Sequence, residues 1–310
     1  MKTLLTSGPM GTALTSIING AADMLPALYR CWKEKYKCCP DALSVISPWM
    51  PKALIYEYLK AGADIIITNT FLSNRLSLKQ YGLPDHIVPL NQESVRTARD
   101  VINDFPDSNC LRKPKVAGAI GPIANIGTRH VSPEALEQAR EAYFEQAEAL
   151  IEAGADMLLF ETSVNIRMLR QGLLAAFEAM DCTGRKLPVH VEFTLDMHGN
   201  MPDGTPLCDA MQEAEENGAA SVGVNCVFPA SRSARYLLEA AGATTLPLTL
   251  RPSLSLGPDN ANGTTTPSEF AEAICQVASA GPLLFAGCCC GGSPAHLKAL
   301  GDKLRTIQRN

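Results

Sequence analysis

The sequence has no long hydrophobic run, no cluster of basic residues and no stretch that we expect to act as a signal peptide, and each absence argues against a class of protein. No stretch approaches the roughly 18 consecutive apolar residues that a membrane-spanning helix requires. The N-terminal stretch MKTLLTSGPMG has one charged side chain and too short an apolar run for a signal peptide, so we expect a cytoplasmic protein. The net charge of −5, without any run of lysine or arginine, argues against nucleic acid as a partner.

Cysteine, by contrast, is abundant, with 11 among 310 residues. In a reducing compartment, such a count favours metal binding or thiol chemistry over disulfides. No Cys-x-x-Cys pair occurs, which argues against a zinc ribbon. Five cysteines are isolated in the sequence, and we expect these to be small buried hydrophobic residues: Cys31, Cys110, Cys182, Cys208 and Cys275. The run Cys288-Cys289-Cys290 requires another explanation.

Eight short runs of β-branched or apolar residues are separated by longer segments with helical periodicity. The predicted strands are residues 4–6, 65–68, 116–120, 157–160, 189–194, 221–224, 246–250 and 283–286. In the helical segment 133–153, Ser132 is a suitable cap and Pro133 a suitable first residue. Eight such units predict an α/β fold, a (β/α)8 TIM barrel, with residues 1–310 as a single domain. An open doubly wound sheet is the alternative, but no Gly-x-Gly-x-x-Gly follows the first strand.

Residues with polar or metal-binding side chains follow several of the predicted strands. In a barrel of this kind, active sites lie at the carboxyl ends of the strands. The residues just beyond the eight runs are Gly8, Asn69, Gly121, Glu161, Thr194, Cys226, Pro252 and Cys289. We therefore expect them to form one layer at the mouth of the barrel.

A metal site is predicted in this layer. Cys226 follows the sixth predicted strand, and Cys289 and Cys290 follow the eighth. Only one strand separates the sixth from the eighth in a barrel, so their carboxyl ends are close enough for the three cysteines to bind one ion. Soft sulfur ligands favour zinc, and three thiolates with one open position are typical of a catalytic zinc site. Flanking glycines would let the backbone turn so that adjacent side chains face one ion. The alternative, that residues 288–290 only pack a tight loop, stays open.

Six motifs in this order resemble the homocysteine S-methyltransferase family. The family includes betaine- and S-methylmethionine-homocysteine methyltransferases and the homocysteine-binding domain of cobalamin-dependent methionine synthase, to which the second and third motifs are most similar. The motifs are Gly8-Pro-Met-Gly-Thr12, Ala61-Gly-Ala-Asp-Ile-Ile-Ile-Thr-Asn-Thr-Phe71, Val116-Ala-Gly-Ala-Ile-Gly-Pro122, Phe160-Glu161-Thr162, Gly223-Val-Asn-Cys226, and Cys289-Cys290-Gly291 followed by Pro294 and His296.

The resemblance implies a zinc-dependent enzyme that methylates the thiol of homocysteine to give methionine. Zn²⁺ would be held by Cys226, Cys289 and Cys290, while Cys288 occupies a position that is usually glycine. The substrate thiol would take the open position, and Glu161 would hold its amino group. A strand-end carboxylate that caps the next helix is the alternative role for Glu161.

From the same layer, we expect Gly8, Asn69 and Thr194 to line the substrate pocket. No side chain is expected to act as a general base during the attack, so no further catalytic residue is predicted.

At two places the sequence differs from the family motifs, and these differences leave the identity of the thiol substrate and the activity undecided. Ser7 stands where the family has aspartate, which removes one anion expected near the substrate ammonium, and Pro252-Ser-Leu-Ser-Leu256 replaces Pro-Asn-Ala-Gly. A different thiol, or a non-catalytic zinc or thiol sensor, is therefore the alternative. A Schiff-base aldolase is disfavoured because no lysine ends a predicted strand.

The methyl donor is predicted to be either a methyl-corrinoid on a separate protein or a small onium compound. We expect no room for a corrinoid domain beside the barrel in 310 residues, so we expect a corrinoid donor to be carried by a separate partner protein. An onium donor would need an aromatic or anionic cradle. Trp32 and Trp49 could supply one, although both could instead pack the long segment after the first strand.

Overall fold

Eight parallel strands form one sheet that curves into a barrel, as the spacing of the apolar runs predicts. The computed structural model describes residues 2–106, 113–123, 130–255 and 264–307. Around the sheet the strand order is β1-β8-β7-β6-β5-β4-β3-β2. The strands are β1 Leu4–Leu5, β2 Ile65–Ile67, β3 Lys115–Ile120, β4 Met157–Ser163, β5 Val189–Phe193, β6 Ser221–Asn225, β7 Leu248–Arg251 and β8 Leu283–Ala286.

Contacts between β1 and β2 complete the circle. Thr6 forms a parallel bridge with Ile65, and the Ser7 amide donates to the Ile65 carbonyl at 2.7 Å. The Asp64 carboxylate accepts from the Leu5 amide at 2.8 Å. All eight predicted strands are therefore confirmed, and the TIM barrel is confirmed over the open doubly wound sheet.

Helices surround the barrel and connect successive strands. Within the described ranges they are α1 Gly11–Gly20, α2 Pro26–Glu34, α3 Leu43–Ile46, α4 Trp49–Lys60, α5 Arg75–Lys79, α6 Ile87–Asp104, α7 Pro133–Glu152, α8 Ile166–Thr183, α9 Leu207–Glu216, α10 Ala230–Ala240, α11 Pro267–Ala280 and α12 Pro294–Ile307. The start of α7 is as predicted, because the Ser132 hydroxyl accepts from the Ala135 amide and Pro133 occupies the first turn. No helix in these ranges combines the length and the apolar character needed to cross a bilayer.

Alternate residues of each strand face the helices and the barrel interior. On β5, Val189, Val191 and Phe193 join the core under the helices, while His190 and Glu192 point inward. The interior is apolar beside β2, β3 and β4, where isoleucine, alanine, methionine and leucine form a separate cluster. Beside β5, β6 and β7 it is polar, and this polar half lies below the cysteine loops.

Candidate metal centre

Three cysteine sulfurs converge at the carboxyl ends of β6 and β8. The Sγ atoms of Cys226 and Cys290 are 3.9 Å apart, those of Cys289 and Cys290 are 4.0 Å apart, and all three lie within 4.8 Å of one another. Zinc–sulfur bonds of about 2.3 Å in a tetrahedron separate the sulfurs by about 3.8 Å. The sulfur atoms therefore fit a zinc ion with three protein ligands.

Strand β7 aligns the two cysteine loops that flank it. The Cys226 amide donates to the Arg251 carbonyl at 3.1 Å, and the Cys289 amide donates to the Pro252 carbonyl at 2.9 Å. Cys226 has a φ of 58° and Gly291 a φ of 80°, so both loops turn sharply through the left-handed region. The flanking glycine at position 291 therefore supplies the turn that the sequence predicted for the cysteine run.

Cys288 points away from the other sulfurs. Its side chain is buried beside the Tyr58 hydroxyl, and burial raises the pKa of the Cys288 thiol to about 12. A side chain at Gly8 would collide with this pair, because an added Cβ would lie 2.1 Å from the Tyr58 Oη atom and 3.0 Å from the Cys288 sulfur. Gly8 thus permits the packing of Tyr58 and Cys288, and its contact with substrate stays a prediction.

The three clustered thiols share their protons unequally. Hydrogen bonds from Cys226 and Cys289 lower the pKa of the Cys290 thiol, and the Thr12 side chain also lowers it. The hydrogen bond with Cys226 raises the pKa of Cys289 well above its ordinary value. These contacts favour a thiolate at Cys290, close to the start of α1.

Glu161 occupies a distorted end of β4. The register between β4 and β5 shifts between Phe160 and Ser163, and Thr162 has a φ of 58°. The Asn225 side chain holds this turn: its Oδ1 accepts from the Thr162 amide at 2.8 Å, and its Nδ2 donates to the Thr162 hydroxyl at 3.0 Å. Asn225 of β6, two strands from β4 in the sheet, therefore holds the turn that directly follows Glu161.

Inside the barrel, Glu161 pairs with Arg251, which also pairs with Glu192. The Arg251 Nη2 atom donates to Glu161 Oε2 at 2.7 Å, and its Nε atom donates to Glu192 Oε2 at 2.7 Å. Burial by itself would lower the pKa of Arg251, but the negative charges of Glu192 and Glu161 raise it well above its ordinary value, so the guanidinium stays charged. The sequence interpretation missed Arg251 and Glu192. The available signal was a pair of opposite charges, Glu192 within the fifth predicted strand and Arg251 directly after the seventh.

The remaining predicted pocket residues have structural contacts. The Asn69 Nδ2 atom donates to the Pro40 carbonyl at 3.0 Å and to the Ser44 hydroxyl at 3.1 Å, so this amide holds α3 and the residues just before it. Thr194 is half-buried, and its amide donates to the Ser163 carbonyl at 3.3 Å. Binding of substrate by Asn69, Glu161 and Thr194 stays a prediction.

Ser7 has a structural contact as well. It is fully buried, and its hydroxyl accepts from the Ile67 amide at 2.9 Å. The residue that replaces the family aspartate therefore links β1 to β2. It supplies no anion to the pocket.

Several expectations for single residues were wrong or fall outside the described ranges. Among the isolated cysteines, Cys275 is buried as expected, but Cys31, Cys182 and Cys208 are exposed because they lie on the outer sides of α2, α8 and α9. Cys110 and Leu256 lie outside the described residues.

The structure assigns different surroundings to the two tryptophans. Trp32 is buried, and its indole N–H donates to the Cys39 carbonyl at 2.8 Å, so it packs the long segment after β1. Trp49 begins α4 and is half exposed.

Comparison with known proteins identifies the family. The family model described as homocysteine S-methyltransferase matches residues 4–304. The chain is 29% identical over 311 residues to the methionine synthase of Mycobacterium tuberculosis, and 29% identical over 263 residues to that of Mycobacterium leprae. These alignments cover 99% and 84% of this chain but only 25% and 22% of the two relatives, so the chain spans about a quarter of their length.

Solved structures support the same assignment. The metallated form of the homocysteine methyltransferase MmuM from Escherichia coli superposes with a TM-score of 0.76 at 25% identity, over 98% of this chain and 96% of that one. A methyltransferase from Methanosarcina mazei, at 13% identity and a TM-score of 0.52 over 99% of this chain and 95% of that one, shares the fold. The family expected from the sequence motifs is confirmed: the chain belongs to the homocysteine S-methyltransferase family.

Proposed function

We propose that this chain is a zinc-dependent S-methyltransferase that methylates the thiol of homocysteine and so produces methionine. The observation that carries the proposal is the group of three cysteine sulfurs at tetrahedral spacing, at the barrel mouth of a chain of this family. Zinc held by three cysteinates would keep the substrate sulfur deprotonated, and therefore nucleophilic, at neutral pH. We further propose that residues 1–310 form one barrel domain that performs this reaction.

The surrounding residues would orient the substrate. Cys226 and Cys290 are only partly buried, which leaves an approach to the metal position from the barrel mouth. Glu161 lies in the same layer, and its charge acts on Cys226. We propose that its carboxylate binds the substrate ammonium, so that the thiol and the amino group are held together at the mouth.

We propose a methyl-corrinoid on a separate protein as the donor. The motifs Thr68-Asn-Thr-Phe71 and Gly121-Pro122 resemble the methionine synthase branch of the family. A small onium donor is the alternative, and an aromatic ring that held it would contribute about 0.5–2 kcal/mol. The burial of Trp32 and the exposure of Trp49 on an outer helix give no support to such a cradle.

The metal is tested by single substitutions with a matched control. Cys226→Ala, Cys289→Ala and Cys290→Ala should each reduce the zinc content from about one ion per chain, because each removes one of three protein ligands. Cys288→Ala is the control from the same loop and should retain the metal. Elemental analysis that finds full zinc in one of the first three variants would remove that cysteine from the ligand set.

The reaction is tested by a donor screen with homocysteine. Purified zinc protein should form methionine when a methylated corrinoid protein is added, as detected by mass spectrometry. Robust turnover with S-methylmethionine or betaine alone would replace the proposed donor. Homocysteine binding without turnover on any donor would favour the sensor.

A further inference from the structure

The interior of the barrel contains a group of three ionisable side chains, of which only Glu161 belongs to a family motif. Arg251 at the end of β7 contacts Glu161 of β4 and Glu192 of β5 through its guanidinium. The Arg251 and Glu192 side chains are 2% and 0% exposed, whereas Glu161 is 11% exposed. Glu161 is thus the member of this triad that reaches the barrel mouth.

We propose that Arg251, anchored by Glu192, is a positioning residue that holds Glu161 for the ammonium group of an amino-acid thiol. The triad would thereby make the pocket prefer homocysteine to thiols that lack an amino group. This inference rests on the proposed function.

One oxygen of the Glu161 carboxylate accepts a hydrogen bond from Arg251, and the other is available to a ligand. Oε2 accepts from Arg251 Nη2 at 2.7 Å, and within the described residues Oε1 accepts from no protein donor. The guanidinium is itself held by Glu192, because its Nε and Nη2 atoms both donate to Glu192 Oε2. Glu192 therefore fixes Arg251, and Arg251 fixes the orientation of Glu161.

The charges of the triad match a single added cation. Two carboxylates and one guanidinium leave one negative charge at the mouth when all three are ionised. An ammonium at the free oxygen of Glu161 would neutralise that charge, and an uncharged group there would not. Ser7 supplies no anion from β1, whereas the Glu161 carboxylate of the triad is close enough to the cysteines to raise the pKa of Cys226.

Arginine is suited to this position by its shape. A planar guanidinium offers several donors in fixed directions and can bridge two carboxylates, whereas a lysine ammonium is a point charge. Gly223 lies in register between Glu192 and Thr249, and Thr249 fills the space that a side chain at position 223 would need.

The test compares two thiols that differ only in the amino group. Binding of L-homocysteine and of 4-mercaptobutanoate is measured by calorimetry on zinc-loaded protein, with zinc content as a separate measurement. The test variant combines Arg251→Met with Glu192→Gln, because removing Arg251 alone would leave two buried carboxylates unpaired. Ser221→Ala, inside the same barrel but outside the triad, is the control.

Wild-type protein should bind L-homocysteine about tenfold or more tightly than 4-mercaptobutanoate, as expected for one hydrogen bond to a charged group. The double variant should lose most of this preference through weaker homocysteine binding, with unchanged zinc and unchanged 4-mercaptobutanoate affinity. If the double variant binds both thiols more weakly by the same factor, the triad has a merely structural role and the proposal is overturned. An unchanged preference for L-homocysteine would overturn it as well.

A second variant protects the test against misfolding. Arg251→Lys keeps the buried positive charge but cannot bridge both carboxylates, so it should show a reduced preference with full zinc. An undiminished preference in this variant would overturn the positioning role. If wild-type protein binds both thiols equally, the role of the triad is refuted but the proposed function is not. If zinc-loaded wild-type protein binds neither thiol, the proposed function itself is refuted.

Discussion

A buried carboxyl at the barrel mouth makes the stability of this protein depend on pH. Asp41 precedes α3 and is 1% exposed. Its Oδ2 accepts from the Leu72 amide at 2.7 Å and from the Ser73 hydroxyl at 2.8 Å, so it ties the segment after β1 to the loop after β2. Burial raises the pKa of Asp41 from 3.8 to about 7. Replacing Asp41 with asparagine removes this ionisation.

The direction in which stability changes with pH follows from the raised pKa of Asp41. The folded protein holds the Asp41 proton up to about pH 7, whereas the unfolded chain releases it near pH 3.8. The stability that this carboxyl contributes is therefore fully present below pH 3.8 and is lost as the pH rises through 7. At 1.36 kcal/mol per pH unit, the raised pKa of Asp41 costs the fold ~4 kcal/mol at pH 8 and ~2 kcal/mol at pH 5.

Urea unfolding of wild type and Asp41→Asn at both pH values measures the effect. The free energy of unfolding of the variant, relative to wild type, should rise by about 2–3 kcal/mol between pH 5 and pH 8. A buried amide NH₂ without a partner adds a cost of about 1–3 kcal/mol, which does not depend on pH and cancels in this comparison. The exposed Asp209, changed to asparagine, controls for the loss of one surface charge. An equal difference at both pH values would refute the cost assigned to the buried carboxyl.

Three further outcomes are expected. Gly223→Ala should lower the melting temperature and destabilise the barrel by about 1–3 kcal/mol or more, because a Cβ would lie 2.0 Å from the Thr249 carbonyl oxygen; a wild-type melting curve would contradict this. Thr266→Ala should lose about 1 kcal/mol of unfolding free energy in denaturant because it breaks the capping box with Glu269, whereas Thr266→Ser should lose little. Removal of zinc with a chelator should lower the melting temperature and abolish homocysteine binding, and added zinc should restore both; thiol binding that survives chelation would exclude a metal-held thiol.

Local sequence was sufficient to predict the fold, because apolar residues recur with a different period in a strand than in a helix. The eight apolar runs, with helical segments between them, lie within a few residues of the observed strands. The position of the cysteines at strand ends followed from the same pattern, since the carboxyl ends of parallel strands in a barrel share one face. The family motifs added the distinction between Cys288 and its two neighbours, which spacing alone left open.

Sequence position did not reveal which side chains meet across the barrel. Arg251 lies 59 residues from Glu192 and 90 from Glu161 along the chain, so only the curvature of the sheet brings them together. The predicted strand ended at Leu250 and excluded Arg251.

The sequence by itself thus determined the barrel, its mouth and the three converging cysteines, because these depend on periodicity and order along the chain. Tertiary structure decided that Ser7 links two strands, that Trp32 packs a loop and that Asp41 is buried. It also decided that Glu161 is held by Arg251. Each of these depends on burial and on partners distant in the chain, which set the cost and the direction of a polar side chain.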